Sequence, residues 1–213
     1  GNVFGGGKGA ATSFWCENGM VYSTNVSISD GTVKGSVYGG GELGRVETDT
    51  KVTIGPETGD HTEIKGNVFG AGKGVQTHGY SALVRGNTEV IVQNGSKVNQ
   101  NVYGGGEIAS VGKYSVDSNG MPYSLANNGS GICHVTIPGA TQITGDVFGG
   151  GKGFVPSDTF LDNETYTGDD LPKRMTIDGE GNSIWQNYNN RTDYLIYLQT
   201  LALATETEVI INP

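Results

Sequence analysis

The segment GNVFGGGKG at residues 1–9 decides the fold, because closely similar segments recur along the whole chain. The later copies are GSVYGGGE at 35–42, GNVFGAGKG at 66–74, QNVYGGGE at 100–107 and GDVFGGGKG at 145–153. Successive copies start 34, 31, 34 and 45 residues apart. A recurrence of this length indicates stacked structural repeats, so the repeat is the unit from which the fold is predicted.

A short strand-like segment precedes each glycine motif after the first. These segments are VSI at 26–28, VTI at 52–54, VIV at 90–92 and VTI at 135–137, and VII at 209–211 is a further one. Their apolar residues alternate with period two, which is typical of a half-buried strand. Turn-forming residues follow at 29–31, 55–56, 94–95 and 138–139. A third apolar residue then precedes each motif: Val33, Ile64, Val98 and Ile143.

A unit this short cannot bury its apolar face alone, but stacked copies can bury it against one another. Stacking predicts three apolar ladders: Val26, Val52, Val90, Val135 and Val209; Ile28, Ile54, Val92, Ile137 and Ile211; and Val37, Val68, Val102 and Val147. We therefore predict an all-β fold, a parallel β-helix (β-solenoid) with loop insertions, as a single unit over 1–213. A β-sandwich is the structural alternative, but it does not explain one identical glycine motif per repeat.

Composition and charge exclude several other classes of protein. Glycine supplies 37 of 213 residues, which disfavours a helical bundle because glycine is a poor helix former. The sequence lacks the Gly-X-Y period of collagen, and it lacks the run of at least 18 apolar residues that a membrane-spanning helix needs. The net charge of −9 has the wrong sign for a nucleic-acid surface or for binding to an anionic membrane. We therefore expect that the protein neither binds nucleic acid nor inserts into a membrane.

The recurring glycines indicate a backbone requirement, either a positive φ or a close approach to a neighbouring repeat. A phosphate-binding loop is not indicated, because Gly74 follows Lys73 where that motif needs Ser or Thr. The residue after each triplet alternates in charge, and we expect one structural column of alternating sign. Its members are Lys8, Glu42, Lys73, Glu107 and Lys152.

An aromatic residue precedes each glycine triplet, and these residues should form a second, parallel column. Its members are Phe4, Tyr38, Phe69, Tyr103 and Phe148. Counting the alternation from Val37 places Tyr38 on the outward face, unless the glycines reverse it. An exposed aromatic ladder would be a candidate binding surface for sugars or a partner chain, whereas rings stacked on one another or covered by the insertions would be structural.

Three insertions interrupt the repeat, at about 10–22, 109–133 and 154–200. The segment 193–204 is the best helix candidate. Acidic residues in the third insertion are candidate calcium ligands without the spacing of an EF-hand: Asp158, Asp162, Glu164, Asp169 and Asp170. We expect no resident cofactor, with calcium as the cation that these oxygen ligands could hold.

No catalytic motif is recognisable. His61, His78 and His134 occupy unrelated positions in the repeat, and we expect each to be a surface or turn residue. We name no catalytic residue and predict a protein that is not an enzyme. Cys16 and Cys133 lie several repeats apart at different offsets, so two free thiols are expected.

The GNVFGGG motif and the segment TEVIVQNG at 88–95 resemble a glycine-rich repeat of large adhesin-like surface proteins of gut Bacteroidetes. The resemblance covers the repeat cores and not the insertions. It implies secretion, attachment at the cell surface and a very long polypeptide. Because neither end carries a capping repeat, we also expect a segment of a longer protein or a subunit that stacks end to end.

These features predict a structural or adhesive extracellular segment, a stalk or fibre, whose partners are neighbouring repeats or, in the insertions, glycans and host surface molecules. A carbohydrate-binding or polysaccharide-cleaving β-helix is the alternative, and a phage tail-fibre segment is another. Paired carboxylates about 5–10 Å apart in a cleft would favour the enzyme.

Overall fold

The structure is a computed structural model that describes residues 1–56, 62–93, 95–117, 121–124, 128–162 and 170–212. Strands dominate the described chain, which also contains two short helices. Three parallel sheets carry most of the strands, and successive repeats add one strand to each sheet. The all-β class predicted from the sequence is therefore confirmed.

The first sheet contains the longest strands, in the order β18-β13-β8-β5-β2. They are β2 (Thr24–Ile28), β5 (Thr50–Ile54), β8 (Thr88–Val92), β13 (Ile132–Pro138) and β18 (Glu206–Asn212). The pairing places Val26 opposite Val52, Val52 opposite Val90, Val90 opposite Val135 and Val135 opposite Val209. This is the valine ladder that the period-two alternation predicts.

The two other parallel sheets consist of strands of two or three residues. One contains β3 (Gly31–Val33), β6 (Thr62–Ile64), β9 (Lys97–Val98) and β14 (Gln142–Ile143). The other contains β1 (Val3–Phe4), β4 (Val37–Tyr38), β7 (Val68–Phe69), β10 (Val102–Tyr103) and β15 (Val147–Phe148). Apolar residues of all three sheets pack into one core, in which Val52, Ile64 and Val68 are fully buried. Burial against neighbouring repeats is what stabilises such short strands.

The glycine triplets lie where backbones of successive repeats approach closely, and none of these glycines has a positive φ. A Cβ on Gly39 would lie 2.1 Å from the carbonyl oxygen of Gly70, and one on Gly70 would lie 2.1 Å from that of Gly104. Real Cβ atoms do not come this near to an oxygen, so the first glycine of each triplet is required by space. Ala71 replaces a middle glycine and is fully buried.

The insertions fold into two antiparallel hairpins and two helices around the repeats. The hairpins are β11 (Tyr114–Val116) with β12 (Pro122–Ser124), and β16 (Arg174–Ile177) with β17 (Ser183–Gln186); the helices are α1 (Asp158–Asp162) and α2 (Arg191–Leu198). Single β-bridges join Val21 to Val46, Val46 to Val84 and Val84 to Val111. The end of the first predicted insertion, at Val21, and the start of the second, at Val111, therefore pair with the repeats. We call the paired segments of successive repeats the framework.

The helix predicted at 193–204 is α2, with different bounds. It begins at Arg191, because the Asn190 side chain accepts a hydrogen bond from the Asp193 amide and caps the first turn. It ends at Leu198, because the chain beyond it joins the framework. There the Leu203 carbonyl accepts from the Val111 amide, and the Leu203 amide donates to the Ser110 hydroxyl at 3.0 Å.

Candidate functional site

The five aromatic residues stack into one continuous column. Consecutive ring centroids are 4.7–4.9 Å apart and consecutive ring planes differ by 4–11°. Phe4 lies at one end and Phe148 at the other, with Tyr38, Phe69 and Tyr103 between them. The spacing equals that of neighbouring strands, so the backbone register alone brings the rings face to face.

The column does not offer the exposed binding ladder considered from the sequence. The alternation does separate the two residues of each short strand, since Val37 packs in the main core and Tyr38 in the aromatic cluster. However, Tyr38, Phe69 and Tyr103 are only 2%, 0% and 7% exposed. Each central ring is covered on both faces by its neighbours, so it cannot contact a ligand. Phe148 is 42% exposed, and no other ring of the described residues stacks on its outer face.

The five charged residues after the triplets also occupy one column. Parallel β-bridges join Lys8 to Glu42, Glu42 to Lys73, Lys73 to Glu107 and Glu107 to Lys152. Ion pairs join Lys8 to Glu42 at 3.7 Å and Lys152 to Glu107 at 3.1 Å. Exposed pairs of this kind contribute at most about 1 kcal/mol each. We therefore expect the column to act on register more than on stability, since a repeat in the wrong order would oppose like charges.

A hydrogen bond links the aromatic and charged columns. The Tyr38 hydroxyl donates to Glu107 Oε2 at 2.6 Å, although these residues belong to repeats two apart. Phe69 belongs to the repeat between them, and its ring has no hydroxyl that could compete for Glu107. Burial raises the pKa of Glu107, but hydrogen bonds from Tyr38 and Lys152, with the charges of Lys152 and Lys73, outweigh it and hold that pKa below its usual value.

A polar ladder that the sequence reading missed lies two residues before the aromatic column. Each side-chain oxygen accepts the backbone N–H of the equivalent residue in the next repeat, at 2.8–3.0 Å. The chain of acceptors and donors runs through Asn2, Ser36, Asn67, Asn101 and Asp146. Aligning the five copies at this offset would have revealed it, because short polar side chains occur in every copy.

A second missed column consists of threonines at the start of the long strands. The hydroxyls of Thr24, Thr50 and Thr88 donate to the carbonyls of Gly39, Gly70 and Gly104, each at 2.6 Å. Cys133 occupies the same column, opposite Thr88 on one side and Thr207 on the other. The hydroxyls satisfy buried carbonyls of the first triplet glycines, which explains their recurrence.

Replacing Cys133 by threonine should stabilise the protein by about 0.5–1.5 kcal/mol, the net value of one hydrogen bond. The new hydroxyl would donate to the Gly149 carbonyl, as the other threonines do in their repeats. Cys133→Val is the matched control, because valine has nearly the shape of threonine and no hydroxyl. Urea unfolding of both variants measures the difference. Equal stabilities for the threonine and valine variants would contradict the assignment.

The expected free thiols are confirmed, since Cys16 and Cys133 are both free and buried. Burial raises the pKa of Cys16 to about 12 and that of Cys133 to about 11. Both therefore remain protonated at neutral pH, and neither is an activated nucleophile.

The outer face of the long sheet contains a polar groove of about 540 Å³. Lys51, Glu89 and His134 stand opposite one another on successive strands in this groove. Asp49 and Asn87 also line the groove, and each directly precedes the first residue of its strand, β5 or β8. The groove is thus built from charged, amide and hydroxyl groups, which can hold a polar chain by hydrogen bonds.

The charged groups of this groove are engaged with protein partners. Lys51 pairs with Glu89 at 2.7 Å, and His134 Nδ1 lies 2.8 Å from Glu208 Oε2. Asp49 Oδ1 accepts a hydrogen bond from the backbone N–H of Asn87 at 2.7 Å. A strand spacing of about 4.8 Å and a rise of about 3.3 Å per residue put the Cα atoms of Asp49 and Glu89 about 8 Å apart. Both carboxylates are already held in place by these neighbours.

Each histidine was expected to be a surface or turn residue, and His78 lies in a turn whose backbone bonds join it to Val75 and Ser81, but not at the surface. His78 is fully buried, and its Nε2 lies 3.1 Å from the Phe14 carbonyl oxygen. The first insertion covers it, and this could not be inferred from local sequence. Burial lowers the pKa of His78, although its backbone hydrogen bonds act in the opposite direction. His61 lies outside the described residues.

His78 should make folding weaken as the pH falls below about 6.5, the ordinary histidine pKa. In that range the unfolded chain binds a proton that folded His78 does not, so stability is complete above this pH and decreases below it. His78→Gln should have a shallower slope, by up to about 1.4 kcal/mol per pH unit. Urea unfolding at pH 7.5, 6.5 and 5.5 compares the two proteins, and parallel pH profiles would contradict the assignment.

The calcium candidates fall mostly outside what can be described. Glu164 and Asp169 lie outside the described residues, while Asp158 and Asp162 belong to α1. Asp170 follows the gap. Within the described part of the chain, no three His, Cys, Asp or Glu residues are grouped so that they could hold a metal ion.

Comparison of the chain with protein-family models, with curated proteins and with solved structures found no match. Neither helix in the described part of the chain has the length and apolar character that crossing a membrane requires.

Proposed function

We propose that the three parallel sheets are the faces of a parallel β-helix and that the chain is a non-catalytic structural segment, a stalk or fibre of an extracellular bacterial surface protein. The continuity of the columns carries the proposal. The aromatic stack and the polar ladder each pass through all five repeats without interruption. Such continuity suits a rod that bears load along the stacking direction. Resemblance to adhesin-like repeats supports the surface location.

The rod is proposed to continue by stacking on further repeats of the same kind, in the same protein or in a second copy. Val209 and Ile211 occupy the positions of buried core residues in the other repeats, yet they are 40% and 61% exposed. Their strand, β18, is also an edge of its sheet. An exposed apolar edge strand readily pairs with another strand, and a further repeat would bury both residues.

Pulling the chain from its two ends tests the load-bearing role. Repeats of 31–45 residues should unravel one after another, with length increments of about 11–16 nm at about 3.6 Å per residue. Fluorescent-protein domains fused to both ends unfold in the same trace, and their unfolding force serves as the reference for the force at which the repeats unfold. A single extension of the whole chain would contradict a rod built from separable repeats.

The polar groove favours carbohydrate binding or cleavage as the second candidate function. Asp49 and Glu89 both line the groove from neighbouring strands, and glycoside hydrolases use a pair of carboxylates. Incubation with a panel of polysaccharides distinguishes the two functions. Release of reducing or unsaturated ends, lost in Asp49→Asn and Glu89→Gln, would overturn the non-catalytic proposal. Unchanged polysaccharides support it.

A further inference from the structure

A second cavity, of about 370 Å³, shares no lining residue with the polar groove and lies between segments that are distant in sequence. The first insertion contributes Trp15, two framework segments contribute Arg45 and Arg85, and the chain leading into β11 contributes Lys113. A volume of this size can enclose one sugar ring. We name this cavity the Trp15 pocket.

The aromatic wall of the Trp15 pocket is held in place by other rings. Trp15 makes edge contacts with Phe14 and Tyr80, at centroid distances of 4.8 and 5.0 Å. Phe14 and Tyr80 are buried, whereas Trp15 is partly exposed. Tyr114, also in the wall, is fixed by a hydrogen bond from its hydroxyl to the Val111 carbonyl at 2.8 Å. The wall is therefore rigid before any ligand arrives, which lowers the entropic cost of binding.

The charge of the Trp15 pocket is opposite to that of the whole chain. Arg45 is buried and bonded to Glu47, the Trp15 carbonyl and the Met20 sulfur. Arg85 uses one nitrogen for Glu47 at 3.0 Å, and its side chain is 40% exposed.

Lys113 adds a third cation, and within the described chain no carboxylate is paired with its ammonium group. With Glu17 and Glu47 as the acids nearby, three cations face two carboxylates, in a protein of net charge −9. The surplus charge lies on the exposed groups Arg85 and Lys113.

We propose that the Trp15 pocket binds a saccharide unit that carries a carboxylate. The apolar C–H face of a sugar ring would lie on Trp15, and the carboxylate would pair with Arg85 and Lys113. Guanidinium groups bind carboxylates through parallel N–H donors, and Glu17 can accept hydrogen bonds from sugar hydroxyls. The proposal gives the rod an adhesive site and does not depend on the rod being load-bearing.

The test measures binding of D-glucuronate and N-acetylneuraminate by saturation-transfer NMR and calorimetry on the whole chain. Each acid should bind at least tenfold more tightly than its methyl ester and than D-glucose, and the affinity should fall as NaCl rises. Lys113→Gln and Arg85→Gln should each weaken binding at least fivefold. Lys97→Gln is the control, because Lys97 pairs with Glu63 on another sheet, and it should leave binding unchanged.

Thermal melting of each variant separates lost binding from lost folding. Variants that melt like the unchanged protein and no longer bind the acids support the proposal. Equal binding of acid and ester, absence of binding to both acids, or full binding by folded Lys113→Gln and Arg85→Gln would each overturn it.

Discussion

Gly70→Ala should destabilise the protein by at least about 3 kcal/mol, the upper part of the range for overpacking substitutions. The added Cβ would lie 2.1 Å from the Gly104 carbonyl oxygen and 3.0 Å from side-chain atoms of Thr88 and Val90. The carbonyl belongs to the backbone of the next repeat and cannot rotate away. The two repeats must therefore separate locally. Urea unfolding followed by far-UV circular dichroism measures the loss.

Gly153→Ala is the matched control for this effect. Gly153 follows Lys152 just beyond a triplet, and a Cβ there would have no atom within 4 Å. Surface substitutions of this kind change stability by about 0.5 kcal/mol or less. If Gly153→Ala lost as much stability as Gly70→Ala, the cause would be the replacement of glycine as such. The close contact between repeats at Gly70 would then not be the explanation.

Phe69→Ala should cost about 3–5 kcal/mol, as expected for truncation of a fully buried aromatic side chain. Phe69 is 0% exposed and stacks on Tyr38 at 4.9 Å and on Tyr103 at 4.7 Å. Alanine would open a cavity in the middle of the aromatic column. Because rigid strands hold the neighbouring rings, they cannot close the gap. Denaturant unfolding gives the free-energy difference directly.

Phe148→Ala provides the comparison at the end of the same column. Among the rings that the structure describes, Phe148 stacks on Tyr103 alone, and it is 42% exposed, so its truncation should cost less than half as much. The ratio of the two losses reports the value of having a ring on both faces. Similar losses at both positions would mean that the stack contributes little beyond local burial.

The strands and their pairing were predictable because each position of the repeat recurs with the same chemical character. Val52 and Val90 pair as expected, since one register satisfies every ladder at once. The polar ladder through Asn67 and Asn101 was equally visible in the aligned copies. The apolar pattern does not reveal this ladder, because its side chains are polar and bond to backbone amides of the next repeat.

Burial was the part of the site that local sequence could not supply. Alternation placed Tyr38 away from the Val37 side of its strand, but it could not show that stacked neighbours leave the ring 2% exposed. His78 is covered by Phe14, which lies 64 residues earlier. The Trp15 pocket likewise joins segments whose distance in the chain carries no information about their contact.

By itself, the sequence determined an all-β chain whose equivalent residues stack from repeat to repeat, because regular alternation and recurrence leave few registers that bury the apolar residues together. Tertiary structure alone decided that the triplet glycines serve close approach and not positive φ. It also decided which aromatic rings are hidden and where the insertions meet. These properties depend on atoms contributed by distant segments, whose packing follows from shape in three dimensions and not from the local pattern.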